Sequence, residues 1–163
     1  MLALLAMTAL AAAPATVPAS PCRAESLALR TDGENGNFNG MSHGGTRLIV
    51  RNTGSSDCLL PGLPTVIFLD ADGKTLATER KAPAGMHPGP VVLPVRLAPG
   101  AEASTPLRWV SGEVYDDSRC VSIARVRVRY GAKALVEGLA SGRICSPGDA
   151  PAAVEQPPLS VKK

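Results

Sequence analysis

Aromatic residues are scarce in this 163-residue chain, which holds one Trp, two Tyr and two Phe. A single-stranded nucleic-acid groove stacks successive bases on such rings between clustered cations. With neither the rings nor a Lys/Arg cluster, a formal net charge of +3 points to no nucleic acid. Histidine is equally sparse, at two residues, which leaves few candidates for a general base. The chain carries no phosphate-binding glycine loop, no dinucleotide fingerprint and no nucleophile elbow. Its apolar runs fall short of the roughly 20 residues that a membrane-spanning helix needs.

Charge is absent from Met1 to Ala13, an apolar run followed by small residues. That pattern fits the core of a signal peptide, although the positive n-region is missing. Cleavage after Ala15 is expected, giving residues 1–15 as signal peptide and residues 16–21 as linker. Cys22, Cys58, Cys120 and Cys145 all lie beyond the leader, where an oxidising compartment lets them pair. Cys22 follows Ala19-Ser20-Pro21, which is no lipobox. A soluble secreted or periplasmic protein without a stable membrane anchor after processing is therefore expected. Residues 22–146 suffice for one domain. The tail, residues 147–163, is punctuated by Pro147, Pro151, Pro157 and Pro158 and is expected to be disordered.

Between leader and tail, short apolar alternation broken by Gly and Pro predicts an all-β domain. Arg125 to Tyr130 alternates strictly, so Val126, Val128 and Tyr130 face a core and Arg125, Arg127 and Arg129 face away. Thr46 to Asn52 turns Leu48 and Val50 inward and Arg47 and Arg51 outward; Glu25 to Arg30 offers Leu27 and Leu29. Val66 to Leu69 is apolar on both faces and is expected to be central or covered by a loop. Val91, Leu93, Val95 and Leu97 form a further inward set, as do Thr105, Leu107 and Trp109. Pro94 and Pro106 fall on the outward phases, which predicts edges or bulges. Ala98-Pro99-Gly100-Ala101 reads as a turn, and Asp72-Gly73 as a hairpin joining a strand that ends at Asp70 to Thr75 to Glu79. About seven or eight strands at this spacing suggest a two-sheet β-sandwich.

The motifs Gly40-Met41-Ser42-His43, Leu48 to Gly54 with Asn52-Thr53-Gly54, and Cys58-Leu59-Leu60-Pro61-Gly62-Leu63-Pro64 stand in an order that resembles the family DUF4232. Phe68 to Gly73, Leu97 to Gly100, Trp109, Cys120 and Cys145 continue the likeness, which covers Cys22 to Cys145. The resemblance implies an immunoglobulin-like β-sandwich in a secreted or envelope-anchored bacterial protein. It implies no activity.

If each disulfide staples neighbouring strands, Cys22 pairs with Cys58 and Cys120 with Cys145, though four cysteines allow three connectivities. A four-thiolate zinc site is disfavoured because no close Cys-x-x-Cys pair is present. Met41 and His43 form one Met/His loop and Met86 and His87 a second. Thioether with imidazole suits copper(I), provided that the loops meet; the plainer reading leaves Met41 packed under a strand and both histidines in solvent. No other cofactor is expected. Asp70, Asp72 and Gly73 imitate the start of a calcium loop without its later ligands. Ser42, His43 and Asp57 could be assembled into a triad on paper only. Arg47, Arg51, Arg125, Arg127 and Arg129 make one basic face if their strands are neighbours, and otherwise a solvated surface that discourages aggregation. The reading that follows is a non-enzymatic envelope binding module, its partner an extracellular or envelope protein or glycan, with a periplasmic copper protein as the alternative.

Overall fold

Alternation builds the longest strands. The computed structural model describes residues 19–83, 85, 91–130 and 134–161. Twelve strands run in chain order among them: β1 (Ser20–Pro21), β2 (Leu27–Asp32), β3 (His43–Asn52), β4 (Cys58–Leu60), β5 (Thr65–Leu69), β6 (Thr78–Lys81), β7 (Val95–Leu97), β8 (Glu102–Val110), β9 (Ser118–Tyr130), β10 (Ala134–Pro147), β11 (Ala152–Glu155) and β12 (Ser160–Val161). The chain is all-β, with more strands than expected because several are very short. The signal-peptide segment lies outside the described residues.

Three sheets form, ordered β1-β4-β7, β10-β9-β5 and β2-β3-β8-β11-β6, with β12 also on β8. Leu48 and Val50 of β3, Leu107 and Trp109 of β8, and Val154 of β11 face Phe68 of β5, Val126 and Val128 of β9, and Ile144 of β10 in one core. Two layers thus close on a single apolar interior, and each such side chain contributes about 1.5–3 kcal/mol on burial. Phe68 and Trp109 meet edge to face at 5.4 Å. The expected pairing of cysteines is present: Cys22–Cys58 ties the first segment to β4, and Cys120–Cys145 joins directly opposed residues of β9 and β10.

Several expectations are corrected by pairing across the chain. The tail is part of the sheet, because β11 lies between β8 and β6, and Ala152, Val154, Gln156 and Leu159 are buried. Its prolines cost little, since Pro157 accepts at its carbonyl from Thr105 Oγ1 at 2.7 Å and Leu159 N–H donates to Gly62 O at 2.7 Å. Of the supposed linker, Ser20–Pro21 pairs with Cys58–Leu59. β5 stands at a sheet edge, covered beyond by the Leu69–Thr75 bridge and the Leu76 N–H on Phe68 O. The expected hairpin forms its turn and a short ladder, with Asp70 N–H on Lys74 O beside that bridge, but Thr78–Lys81 then crosses to the other sheet beside β11. Val91 and Leu93 are exposed, 87% and 71%, because Pro94 withholds a donor and the strand begins only at Val95. Pro106 sits within an interior strand, yet between the residues of β8 that β12 takes (Ala103, Ser104) and those that β11 takes (Arg108, Trp109), where the outer ladder is interrupted.

Local chemistry fixes the connections. Gly100 adopts φ 77° at the third position of the turn closed by Ala101 N–H on Ala98 O, as a Pro-Gly turn requires. Asn52 is fully buried; its Nδ2 donates to Ser56 O and Leu97 O, and its Oδ1 accepts from Gly54 N–H. The Asn-Thr-Gly motif is therefore a structural clamp between two sheets.

Tyr130 is buried, and its hydroxyl finds no partner among the described residues. Burial raises its pKa. The neutral phenol is thus favoured in the folded state, so this contribution is fully present below the unfolded value of about 10 and is lost as pH rises beyond it. Tyr130→Phe is expected to keep or raise stability by up to about 1 kcal/mol, by removing an unpaired buried hydroxyl, and to flatten the alkaline decline above about pH 10. Urea unfolding of both proteins across the alkaline range checks it; a destabilised Phe variant would mean that the hydroxyl has a partner.

Candidate binding surface

The outer face of the five-strand array is set by the same alternation that fills the core. Residues 43, 45, 47, 49 and 51 of β3 point outward, and their registers place Val110, Arg108, Pro106, Ser104 and Glu102 of β8 beside them. Across the next ladders come Glu155 beside Arg108, and Lys81 beside Glu155. The loop between β2 and β3 folds back over this face. Phe38 is buried against Gly45, where an added Cβ would lie 2.3 Å from Leu107 O, 3.1 Å from Phe38 Cβ and 3.2 Å from the ring atom Cδ1. A glycine inside a strand pattern signals such a close approach, and Gly44-Gly45 was the available sequence sign of it.

The loop is a ridge between two clefts. The first, about 380 Å³, has Ile49, Ser104 and Ser160 as its floor. Its wall is a series of alternating charges: Glu34 holds Arg47, and Arg30 stands between Asp32 at 3.7 Å and Glu102 at 3.2 Å. The hydrogen bond from Arg47 to Glu34 raises the arginine's pKa, partial burial opposes this, and the nearby charges of Glu34 and Asp32 add to the rise. Asp32 Oδ1 also accepts from Glu34 N–H at 2.8 Å. Glu34 and Asn35 take positive φ, 47° and 54°, a conformation unusual for residues with a Cβ. The second cleft, about 330 Å³, is lined by His43, Lys81, Arg108 and Glu155 over Val110 and Ala153.

The residues singled out in the sequence are dispersed over this frame. Met41 is fully exposed, not packed under a strand, and His43 is exposed at the start of β3, where its Nδ1 lies 3.1 Å from Ser42 Oγ. Met86 and His87 lie outside the described residues. Asp57 pairs with Arg96 at 2.8 Å beyond the far end of β3, a ten-residue strand roughly 30 Å long, so the paper triad does not assemble. Asp70, Asp72 and Gly73 form the hairpin turn, with Gly73 N–H on Asp70 O and Lys74 N–H on Asp70 Oδ1. Both disulfides occupy all four cysteines, which removes the zinc reading. No group of three or more His, Cys, Asp or Glu suited to a metal occurs among the described residues.

The single basic stripe is corrected. Arg47 and Arg51 project from one sheet, whereas Arg125, Arg127 and Arg129 project from β9 of the other, so the two sets stand on different outer faces. Glu137 holds both Arg125 at 3.4 Å and Arg127 at 2.6 Å. Neither Arg51 nor Arg129 makes an ion pair among the described residues. No helix among the described residues is long and apolar enough to cross a membrane.

A family model described as "Domain of unknown function (DUF4232)" matches residues 22–162, a span that takes in the tail strands. No curated protein and no solved structure matches the chain.

Proposed function

This chain belongs to the DUF4232 family, and from that footing we propose that it is a non-enzymatic binding module of the bacterial envelope, periplasmic or secreted, built as a disulfide-stapled sandwich of immunoglobulin-like type. The observation that carries the reading is the ridged outer face of the β2-β3-β8-β11-β6 sheet. Its two clefts gather charged side chains on a hydrogen-bonded sheet, joined in the first by the Ser104 and Ser160 hydroxyls, and polar groups placed in a concave site fix a partner's orientation. Export is supported by two disulfides with no free cysteine, which suit an oxidising compartment. The partner is an envelope or extracellular protein or glycan.

The test is co-sedimentation of the purified protein with isolated bacterial envelope fragments. Retention is expected, weakened by Arg108→Glu combined with Lys81→Glu in the second cleft and unchanged by Arg129→Glu on the opposite sheet. No retention of the wild-type protein would defeat the proposal. Loss with Arg129→Glu alone would move the surface to the other sheet.

A further inference from the structure

The first cleft has a chemical bias that its charges alone conceal. Arg30 and Arg47 line it and Arg51 flanks it as the register neighbour of Glu102, against Asp32, Glu34 and Glu102. Three cations thus meet three anions. An anion entering the cleft would have to displace Glu34 or Glu102 from its arginine, and a cation would have to displace an arginine from its carboxylates. Neither exchange gains much at Arg30 and Arg47, the cations that line the cleft, because both are already paired; Arg51, which makes no ion pair among the described residues, stands outside that lining.

Hydrogen-bonding capacity remains. Arg47 reaches Glu34 through Nε, which leaves its two terminal amino groups outside that pair, and Arg30 reaches Glu102 through one carboxylate oxygen. The hydroxyls of Ser104 and Ser160 lie below, next to Ile49, whose 5% exposure still gives the floor an apolar spot. A ring with vicinal hydroxyls accepts from a guanidinium fork and donates to a carboxylate at the same time, so it bridges the pairs without breaking them. A volume of about 380 Å³ lies at the small end of the range, about 300–1,000 Å³, that holds small ligands.

We propose that this cleft binds a neutral polyhydroxylated ligand, a saccharide unit of about two rings. The inference rests on the binding-module reading and narrows its partner to a glycan. Among the described residues no aromatic ring lines the cleft, so a single site binds without stacking and weakly, with a dissociation constant on the order of 1 mM. Strong attachment then comes from many sites along one polymer.

The experiment is an amide NMR titration of the full chain with chitobiose, maltose and trehalose as neutral probes, spermidine as the cation and inorganic phosphate as the anion. At least one disaccharide should shift the amides of Arg30, Ile49, Ser104 and Ser160. The shift should persist when NaCl rises from about 0.01 M to about 1 M, which shortens the Debye length from about 30 Å to about 3 Å. Ser104→Leu, which fills the floor, and Glu102→Gln, which keeps the shape, should each weaken it about tenfold or more, with Trp109 emission confirming the fold. Silence of all three disaccharides, or a salt-sensitive response to spermidine or phosphate at the same amides, overturns the inference. The broader reading falls separately, only if the wild-type protein also fails to sediment with envelope fragments.

Discussion

Ending the chain after Ser146 should unfold the domain. The deletion strips away Ala152, Val154, Gln156 and Leu159, all buried, and leaves β6 without β11, its one partner strand among the described residues. Val154 and Leu159 alone contribute about 1.5–3 kcal/mol each, and the loss takes the register neighbour Val154 from Trp109 as well. A total on the order of 5 kcal/mol or more is as large as the whole stability at the lower end of the roughly 5–15 kcal/mol that a domain possesses. The shortened protein is expected to show no cooperative urea transition and to bind hydrophobic dyes. A well-folded truncation with an unchanged midpoint would mean that β11 and β12 are ornaments on a core complete without them.

Trp109→Ala should cost about 3–5 kcal/mol. The indole is 4% exposed, packs edge to face on Phe68 and donates from Nε1 to Arg143 O at 2.9 Å, so it ties β8 to both β5 and β10. Truncation leaves a large cavity between the sheets and a carbonyl without its donor. Wild-type emission should be blue-shifted and move red in denaturant. Circular dichroism during urea unfolding then measures the variant, which has no tryptophan of its own. A loss below about 1 kcal/mol would show that the core collapses around the gap and that the contact across the layers is dispensable.

Trp109 was legible in the sequence because its phase with Thr105 and Leu107 is a local property of one strand, and the same holds for Val126, Val128, Leu48 and Val50. What a strand does beyond its own alternation is decided elsewhere. The five arginines looked like one stripe because each strand declares which side is polar, but not which sheet it joins. The tail looked disordered because four prolines dilute its apolar residues; its order comes from β6, β8 and the carbonyls of Gly62 and Pro64, none of them near in sequence. The saccharide cleft was hidden for the same reason, since Arg30 and Glu102, its clearest pair, are 72 positions apart.

The place of β11 has a consequence for the order in which the protein can be made. Among the described strands β6 pairs with β11 alone, so it waits, unpaired, for a segment that follows β10. Until then β8 also presents a bare rim, the kind of template on which nascent chains aggregate. Pro106 interrupts that rim at the point where neither tail strand will cover it, so a passing strand cannot zip along its full length. Assembly of the large sheet is therefore completed only after β11 and β12 have emerged, and a proline guards the seam in the interval.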